Sequence, residues 1–159
     1  MEIRRVDPGE WEPLRDIRLR ALADAPYAFA TTYEEALDRP DSYWHEMLRE
    51  PAWIAEDGGL WWGMVRVRSE DDDTAHLISM WIDPEVRARG VGRRLVQAVE
   101  DWARDRDLRT VVLWVAEGNR AAEALYRSAG FEGTGERQPL PSDPSVSETM
   151  MRLDLGPGR

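Results

Sequence analysis

The stretch from Trp81 to Trp102, WIDPEVRARGVGRRLVQAVEDW, predicts a strand end, a glycine-containing turn and an amphipathic helix. The first N–H groups of a helix lack intrahelical partners, and the helix dipole adds positive potential there. Gly90 and Gly92 let an anion approach the backbone. Four arginines surround these glycines: Arg87, Arg89, Arg93 and Arg94. By itself the stretch is compatible with a phosphate-binding turn at the start of a helix, and a helix that simply begins with a flexible turn is the alternative.

The composition narrows the class of protein. The length of 159 residues predicts one domain. The formal net charge of −10 argues against nucleic-acid binding. It has no long apolar run and no apolar leader in MEIRRVDPGEW, so we expect a cytoplasmic protein that does not bind membranes.

Several kinds of active site are excluded by the residues that are missing. All 21 basic residues are arginine, which removes lysine-dependent phosphate loops and pyridoxal chemistry. There is no cysteine, and His45 and His76 are the only histidines, so no zinc site of the H-E-x-x-H type exists. We expect no metal.

The hydrophobic pattern predicts a mixed α/β domain. Strand EIRRV is followed by a helix from about Glu10 to Ala23 and a short helix in DSYWHEMLRE. A hairpin turning at Asp57-Gly58-Gly59 joins AWIAED to LWWGMVRVR, and a strand AHLISMWID precedes the glycine turn. A helix from about Val91 to Arg104, a buried strand TVVLWVA and a helix NRAAEALYRSAG come next. Strands FEGTGERQ and SVSETMMRLDL flank the loop PLPSDP.

The predicted order is β-α-α-β-β-β-α-β-α-β-β, with strands four and five parallel because a helix crosses between them. Residues 1–155 form one domain in this interpretation, and residues 156–159 form a frayed tail.

Two motifs about thirty residues apart carry a resemblance to a known family. One is R-x-x-G-x-G, from Arg87 to Gly92, and the other is EGNRAAEALYRSAGFE, from Glu117 to Glu132. The chain resembles the GNAT superfamily of acyl-CoA-dependent N-acetyltransferases. The resemblance implies a mostly antiparallel sheet of about seven strands, with strands four and five splayed apart, and acetyl-CoA as co-substrate.

The resemblance also implies where coenzyme A binds. The turn from Ala88 to Arg93 would hold the pyrophosphate, and the end of strand four would pair with the pantetheine arm. Asn119 would contact the arm, although a simple helix N-cap explains this residue equally well. The implied cofactor residues are Met80, Trp81, Ile82, Arg87, Ala88, Arg89, Gly90, Val91, Gly92, Arg93, Asn119 and Tyr126.

Acetyl transfer to an amine requires a base, a donor to the carbonyl oxygen and a proton for the leaving thiolate. Tyr126 is the implied proton donor, with core packing as the alternative. The carbonyl donor is implied to be a backbone N–H at a bulge around Trp81 or Ile82. His76 stands where related enzymes carry a histidine or a glutamate that accepts the proton from the amine. Glu117 is a second candidate base. The alternative for His76 is a half-exposed histidine at the end of a strand, and the alternative for Glu117 is a solvated loop carboxylate.

Aromatic residues are candidates for an acceptor pocket, with core packing as the alternative. They are Tyr27, Phe29, Tyr33, Trp81 and Trp114. Ribosomal-protein N-terminal acetyltransferases carry a glutamate at the position of Trp114, which argues against a peptide acceptor of that type.

The leading hypothesis is acetyl transfer to a primary amine of a small molecule by direct attack in a ternary complex. Resistance to an amine-bearing antibiotic is one subtype. A protein or polyamine acceptor, or a non-catalytic coenzyme A-binding module, are the alternatives. A homodimer is also compatible with the resemblance.

Overall fold

A seven-stranded mixed sheet forms the centre of the computed structural model, which describes residues 1–156, in the order β1-β2-β3-β4-β5-β7-β6. Its strands are β1 (Glu2–Arg5), β2 (Ala52–Asp57), β3 (Leu60–Ser69), β4 (Thr74–Ile82), β5 (Thr110–Ala116), β6 (Glu132–Leu140) and β7 (Asp143–Asp154). Its helices are α1 (Trp11–Asp24), α2 (Tyr33–Leu37), α3 (Asp41–Met47), α4 (Val91–Asp105) and α5 (Arg120–Ser128). The predicted class, the parallel pairing of β4 with β5 and the order of the main elements are confirmed.

The segment Tyr33–Leu37, where the sequence indicates a helical turn within a loop, forms a short helix capped by Thr32, whose hydroxyl accepts from the Glu35 N–H. The structure differs from the prediction at one loop. The predicted loop PLPSDP is mostly strand, and only Pro141 and Ser142 lie between β6 and β7. The predicted tail beyond Gly156 lies outside the described residues.

Helices cover both faces of the sheet and create two apolar cores. The apolar face of α4 packs on one side, where Leu95 and Val99 are fully buried. Helices α1, α2 and α3 pack on the other side, with Leu14, Ile17 and Trp44 at the centre of that core. No helix among residues 1–156 is long and apolar enough to cross a membrane.

Strands β4 and β5 separate soon after they begin. They pair at three positions only, and the last pair joins His76 to Val112. Strand β5 continues to pair with β7 over its whole length, whereas the β5-facing edge of β4 has no strand partner beyond His76. The gap leaves unpaired backbone groups that need another partner.

A β-bulge lies at Ser79 and Met80, two residues before the predicted position. Arg66 pairs with Ile78 and Met64 pairs with Trp81, so two residues of β4 oppose one of β3. Ser79 has a left-handed φ of 57°. The bulge therefore directly precedes Trp81, next to the predicted region around Trp81 or Ile82. The strands approach closely after it, since a Cβ on Gly63 would lie 3.0 Å from Ile82 Cδ1 and 3.2 Å from the Trp81 carbonyl oxygen.

Candidate active site

The predicted phosphate turn connects β4 to α4. Ala88 and Gly90 both have left-handed backbones, with φ of 63° and 79°. This conformation costs alanine about 1–2 kcal/mol, so the surrounding structure must hold it. Gly90 is the N-cap residue of α4, and no side chain caps the helix. The first N–H groups of α4 therefore remain available to a ligand.

The four arginines near the turn have different surroundings. Arg87 donates to Asp24 Oδ2 at 2.7 Å and to the Ile82 carbonyl at 3.0 Å. Arg94 points away, because it donates to the Met1 carbonyl at 2.9 Å. Arg89 and Arg93 are exposed and form no ion pair within residues 1–156. Positive charge for an anion is thus available mainly from Arg89 and Arg93.

Gly92 is required for packing between helices. A Cβ at this position would lie 2.9 Å from Leu125 Cδ2 on α5, closer than real contacts allow. A Cβ at Gly90 would meet nothing within 4 Å. The role of both glycines in making room for a phosphate stays a prediction, and Gly92 also packs closely against a side chain of α5.

A cavity of about 470 Å³, the loop cavity, lies between the end of β4, the turn and α5. It is lined by all of the predicted cofactor residues except Arg89 and Tyr126. Tyr27, which was predicted for the acceptor pocket, lines this cavity instead and is 55% exposed. Residues from three separate elements thus meet at one surface, as the two motifs predict.

The loop cavity continues into a small junction cavity of about 80 Å³ at the gap between β4 and β5. Met80 and Asn119 line both cavities. The junction cavity shares Ser79 and Trp114 with a third space, the polar cavity, of about 560 Å³. Phe29 lines all three. The three cavities therefore adjoin one another, from the turn at the start of α4 to the side of the sheet that α1 and α3 cover.

Tyr126 lines the junction cavity beside the bulge. Its ring is 5% exposed and packs edge-to-face on Phe131, with the ring centroids 5.8 Å apart. Burial raises the pKa of the Tyr126 phenol above its ordinary value, because the charged phenolate loses its hydration. Tyr126 is therefore protonated at neutral pH and is able to donate.

Asn119 serves as the N-cap of α5. Its Oδ1 accepts from the Ala122 N–H at 3.3 Å. Its amide nitrogen makes no hydrogen bond to another residue between 1 and 156, and the side chain lines both the loop and the junction cavity. The capping role and a ligand contact are compatible.

The two candidate bases lie in different environments. His76 lines the polar cavity, and its Nδ1 lies 2.7 Å from Glu70 Oε1. If Nδ1 carries the proton, Nε2 is the basic nitrogen, as in other carboxylate–histidine pairs. Glu117 is exposed, lies 2.8 Å from Arg137 Nη2 in an ion pair, and lines none of the three cavities. The structure does not bring Glu117 to the site.

The predicted acceptor aromatics are also divided. Phe29 and Trp114 line the polar cavity. Tyr33 lines none of the three cavities and packs against the core under α1 and α3. Trp81 is 5% exposed, its ring N–H donates to Asp24 Oδ2 at 3.0 Å, and it lines only the loop cavity. Core packing is the better interpretation for Tyr33, and the ring of Trp81 is largely occupied by its protein contacts.

Three buried charged residues of the polar cavity were missed: Arg18, Arg66 and Glu148, which are only 6–7% exposed. Glu148 Oε1 accepts from Gln138 Nε2 at 2.6 Å. The sequence does contain a sign that the two arginines are buried. Arg18 falls on the apolar face of α1, and Arg66 shares a strand face with Met64. A charge at such inward positions is unusual in soluble proteins.

Within residues 1–156 no group of three or more His, Cys, Asp or Glu side chains is arranged to hold a metal ion.

Comparison with known proteins agrees with this geometry. The family model described as "Acetyltransferase (GNAT) family" matches residues 11–131. A mycothiol acetyltransferase of Thermobispora bispora is 33% identical over 140 residues, which is 82% of this chain but 46% of that protein. The chain thus spans about half the length of this relative.

Solved structures share the fold. The ribosomal-protein-alanine N-acetyltransferase of Brucella melitensis has a TM-score of 0.79 and 21% identity, with 97% of this chain and 99% of that chain covered. The Salmonella typhimurium protein yncA, solved with its cofactor acetyl-CoA, has a TM-score of 0.77 and 23% identity, with 100% and 96% covered. From its family match, its fold and its glycine turn, the chain belongs to the acetyltransferase (GNAT) family.

Proposed function

We propose that this chain is an acetyl-CoA-dependent N-acetyltransferase that moves an acetyl group to a primary amine of a small molecule in a ternary complex. The observation that carries the proposal is the connected set of three cavities, which joins an open helix N-terminus to a polar cavity across the gap between β4 and β5. A donor and an acceptor that enter from opposite ends would meet at the junction cavity.

The residues of the loop cavity fit coenzyme A. The uncapped start of α4, the left-handed Ala88 and Gly90, and the free Arg89 and Arg93 suit a pyrophosphate. The unpaired edge of β4 suits an extended arm with amide groups. When bound, acetyl-CoA supplies the acetyl group as a thioester.

The chain's own residues account for the proton movements. The amine nitrogen forms the new N–C bond as the C–S bond breaks, so nitrogen loses one proton and sulfur gains one. Tyr126 donates the proton to sulfur, and His76, oriented by Glu70, accepts the proton from nitrogen. The backbone N–H groups of the bulge at Ser79 and Met80 bind the carbonyl oxygen.

A thiol-release assay with acetyl-CoA against amino acids, aryl alkylamines, polyamines, aminoglycosides and peptides tests this function. We expect turnover with at least one class, and loss of turnover in Tyr126→Phe and His76→Ala. Unchanged turnover in both variants would refute the assignment of roles. Acetyl-CoA binding without thiol release on any amine would favour the alternative, a non-catalytic coenzyme A-binding module.

A further inference from the structure

The polar cavity contains two buried cations without an anionic partner. Arg18 comes from α1 and Arg66 from β3, and both are more than nine-tenths buried. Neither forms an ion pair with a carboxylate of residues 1–156. Buried charges in proteins are normally paired, so this arrangement needs an explanation.

Individual guanidinium nitrogens also lack hydrogen-bond acceptors. Nε and Nη1 of Arg18, and Nε of Arg66, are buried and have no hydrogen-bond partner among residues 1–156. The Arg18 guanidinium lies 5.2 Å from the centre of the Phe29 ring, which holds it in place without neutralising it. Arg66 donates only to the Ser79 hydroxyl at 3.3 Å and the Met47 carbonyl at 3.5 Å. Both side chains line the polar cavity while part of their hydrogen-bonding capacity is unused.

Both guanidinium groups keep their charge. Burial lowers the pKa of Arg18, and it lowers the pKa of Arg66 to about 10, with the Arg18 charge as a further cause for Arg66. An Arg66 pKa of about 10 still leaves that group cationic at neutral pH, and arginine is rarely deprotonated in proteins. An anion that enters the polar cavity would supply the counter-charge that Arg18 and Arg66 lack.

We propose that the acceptor is an α-amino carboxylate, whose carboxylate group binds between Arg18 and Arg66 while its amine faces the junction cavity. This inference rests on the proposed acetyl transfer and names the class of amine. The forked guanidinium matches a carboxylate in geometry and charge.

The other charges of the polar cavity favour an acceptor that carries both signs. The lining contains three arginines and three glutamates: Arg18, Arg66, Arg68, Glu46, Glu50 and Glu148. A polyamine would bring only positive charge to the two unpaired cations. A phosphate dianion would bring excess negative charge towards the glutamates. A zwitterion with one carboxylate and one amine complements the cavity.

The position of Ser79 favours an amine close to the carboxylate. Ser79 accepts a hydrogen bond from Arg66, belongs to the bulge of β4, and lines both the polar and the junction cavity. A carboxylate at Arg66 therefore lies next to one of the residues that the two cavities share. In an α-amino acid one carbon separates the two groups, so the amine would point at the junction.

Matched acceptors test the proposal in the thiol-release assay. Each set contains an α-amino acid, its carboxamide and its decarboxylated amine, for example phenylalanine, phenylalaninamide and phenethylamine, with further sets for leucine, glutamate and lysine. We expect kcat/KM for the best amino acid to exceed that of its carboxamide by about 10- to 100-fold. The carboxamide has the less basic amine, so this preference would oppose intrinsic reactivity.

Charge-removing variants locate the carboxylate. Arg18→Met and Arg66→Met should each lower the ratio of kcat/KM for the amino acid to kcat/KM for its carboxamide by about 10- to 100-fold, and should leave acetyl-CoA affinity unchanged. Arg15→Met is the matched control, because Arg15 lies one turn earlier on α1 and away from the cavities. An apolar replacement of a buried, unpaired charge should not lower the melting temperature, which thermal unfolding checks.

A binding measurement separates this inference from the catalytic proposal. Calorimetry with 3-phenylpropionate and 3-phenylpropanamide, which lack the amine, should detect the carboxylate only, and Arg18→Met should abolish that binding. Carboxylate binding without any thiol release would overturn the proposed function and leave the site standing. Turnover with equal use of acids, amides and amines, unaffected by either variant, would overturn the inference alone. A preference for O-phosphoethanolamine over every amino acid would also overturn it.

Discussion

Tyr126 combines burial, a position beside the bulge and a phenol that stays protonated. We expect Tyr126→Phe to lower kcat about 10²- to 10⁴-fold, the usual contribution of a general acid, and to leave acetyl-CoA affinity unchanged. The ring of phenylalanine keeps the packing on Phe131, so the variant isolates the hydroxyl. Steady-state kinetics and calorimetry measure the two quantities, and an unchanged kcat would contradict the role.

The direction of the Tyr126 pKa shift also predicts the pH profile. The pKa of a free tyrosine is about 10, and burial raises the pKa of Tyr126 further, so the donating form persists from about pH 6 to about pH 10. Wild-type kcat should show no alkaline decrease from Tyr126 in that range. A falling limb that disappears in Tyr126→Phe would contradict this expectation.

Gly92 and Arg94 show how the structure changes the reason behind a prediction. The glycine turn predicts that Gly92→Val lowers coenzyme A affinity more than Arg94→Ala does. The structure supports the same order for another reason, since any Cβ at Gly92 would clash with Leu125 and Arg94 contacts Met1.

A double-mutant cycle separates packing from phosphate contact. Gly92→Ala should destabilise the fold by about 1–3 kcal/mol through overpacking, and adding Leu125→Ala should recover part of that loss. Urea unfolding measures the four free energies. Strictly additive effects would contradict the packing explanation. In the matching measurement of acetyl-CoA affinity, Arg94→Ala is the control for the Gly92 variants and should leave the affinity unchanged, because Arg94 contacts Met1.

At the scale of elements, substitutions of Asn119 at the start of α5 test whether this side chain both caps the helix and contacts acetyl-CoA. Asn119→Asp keeps a capping oxygen but removes the amide donor, and Asn119→Ala removes both. We expect Asn119→Ala to lose about 1 kcal/mol of stability and acetyl-CoA affinity, and Asn119→Asp to lose affinity only. Thermal unfolding and calorimetry distinguish them. Full affinity in Asn119→Asp would reduce Asn119 to a helix cap.

Elements with a strong local pattern could be predicted from sequence. The apolar period of α4, the Asp57-Gly58-Gly59 turn and the Asn119 cap are local signals, and each element lies where it was expected. The position of the bulge is a property of how β4 pairs with β3, which no local pattern contains. The polar cavity depends on contacts between α1, α3, β3 and β7, so its buried charges emerged only in three dimensions.

The whole molecule should respond to acetyl-CoA along the gap in the sheet. We expect slower hydrogen exchange within residues 77–82 and 88–93, where the β5-facing N–H groups of β4 and the first N–H groups of α4 have no strand or helix partner. Strands β1 and β2 lie beyond β3 and should be unaffected. Exchange mass spectrometry with and without acetyl-CoA measures this. Uniform protection across the sheet, or none in these two segments, would contradict the proposed path of the cofactor.

The three cavities differ in what forms their walls. The loop cavity includes the first backbone N–H groups of α4 and the small residues of the turn and α5, whereas the polar cavity includes long charged side chains from α1, α3 and β3. Substitution alters side chains freely but leaves backbone N–H groups where they are. Redesign of the acceptor range should therefore be achievable at Arg18, Arg66 and their neighbours on α3 without loss of the acyl donor, which makes this scaffold a practical starting point for new amine acylation chemistry.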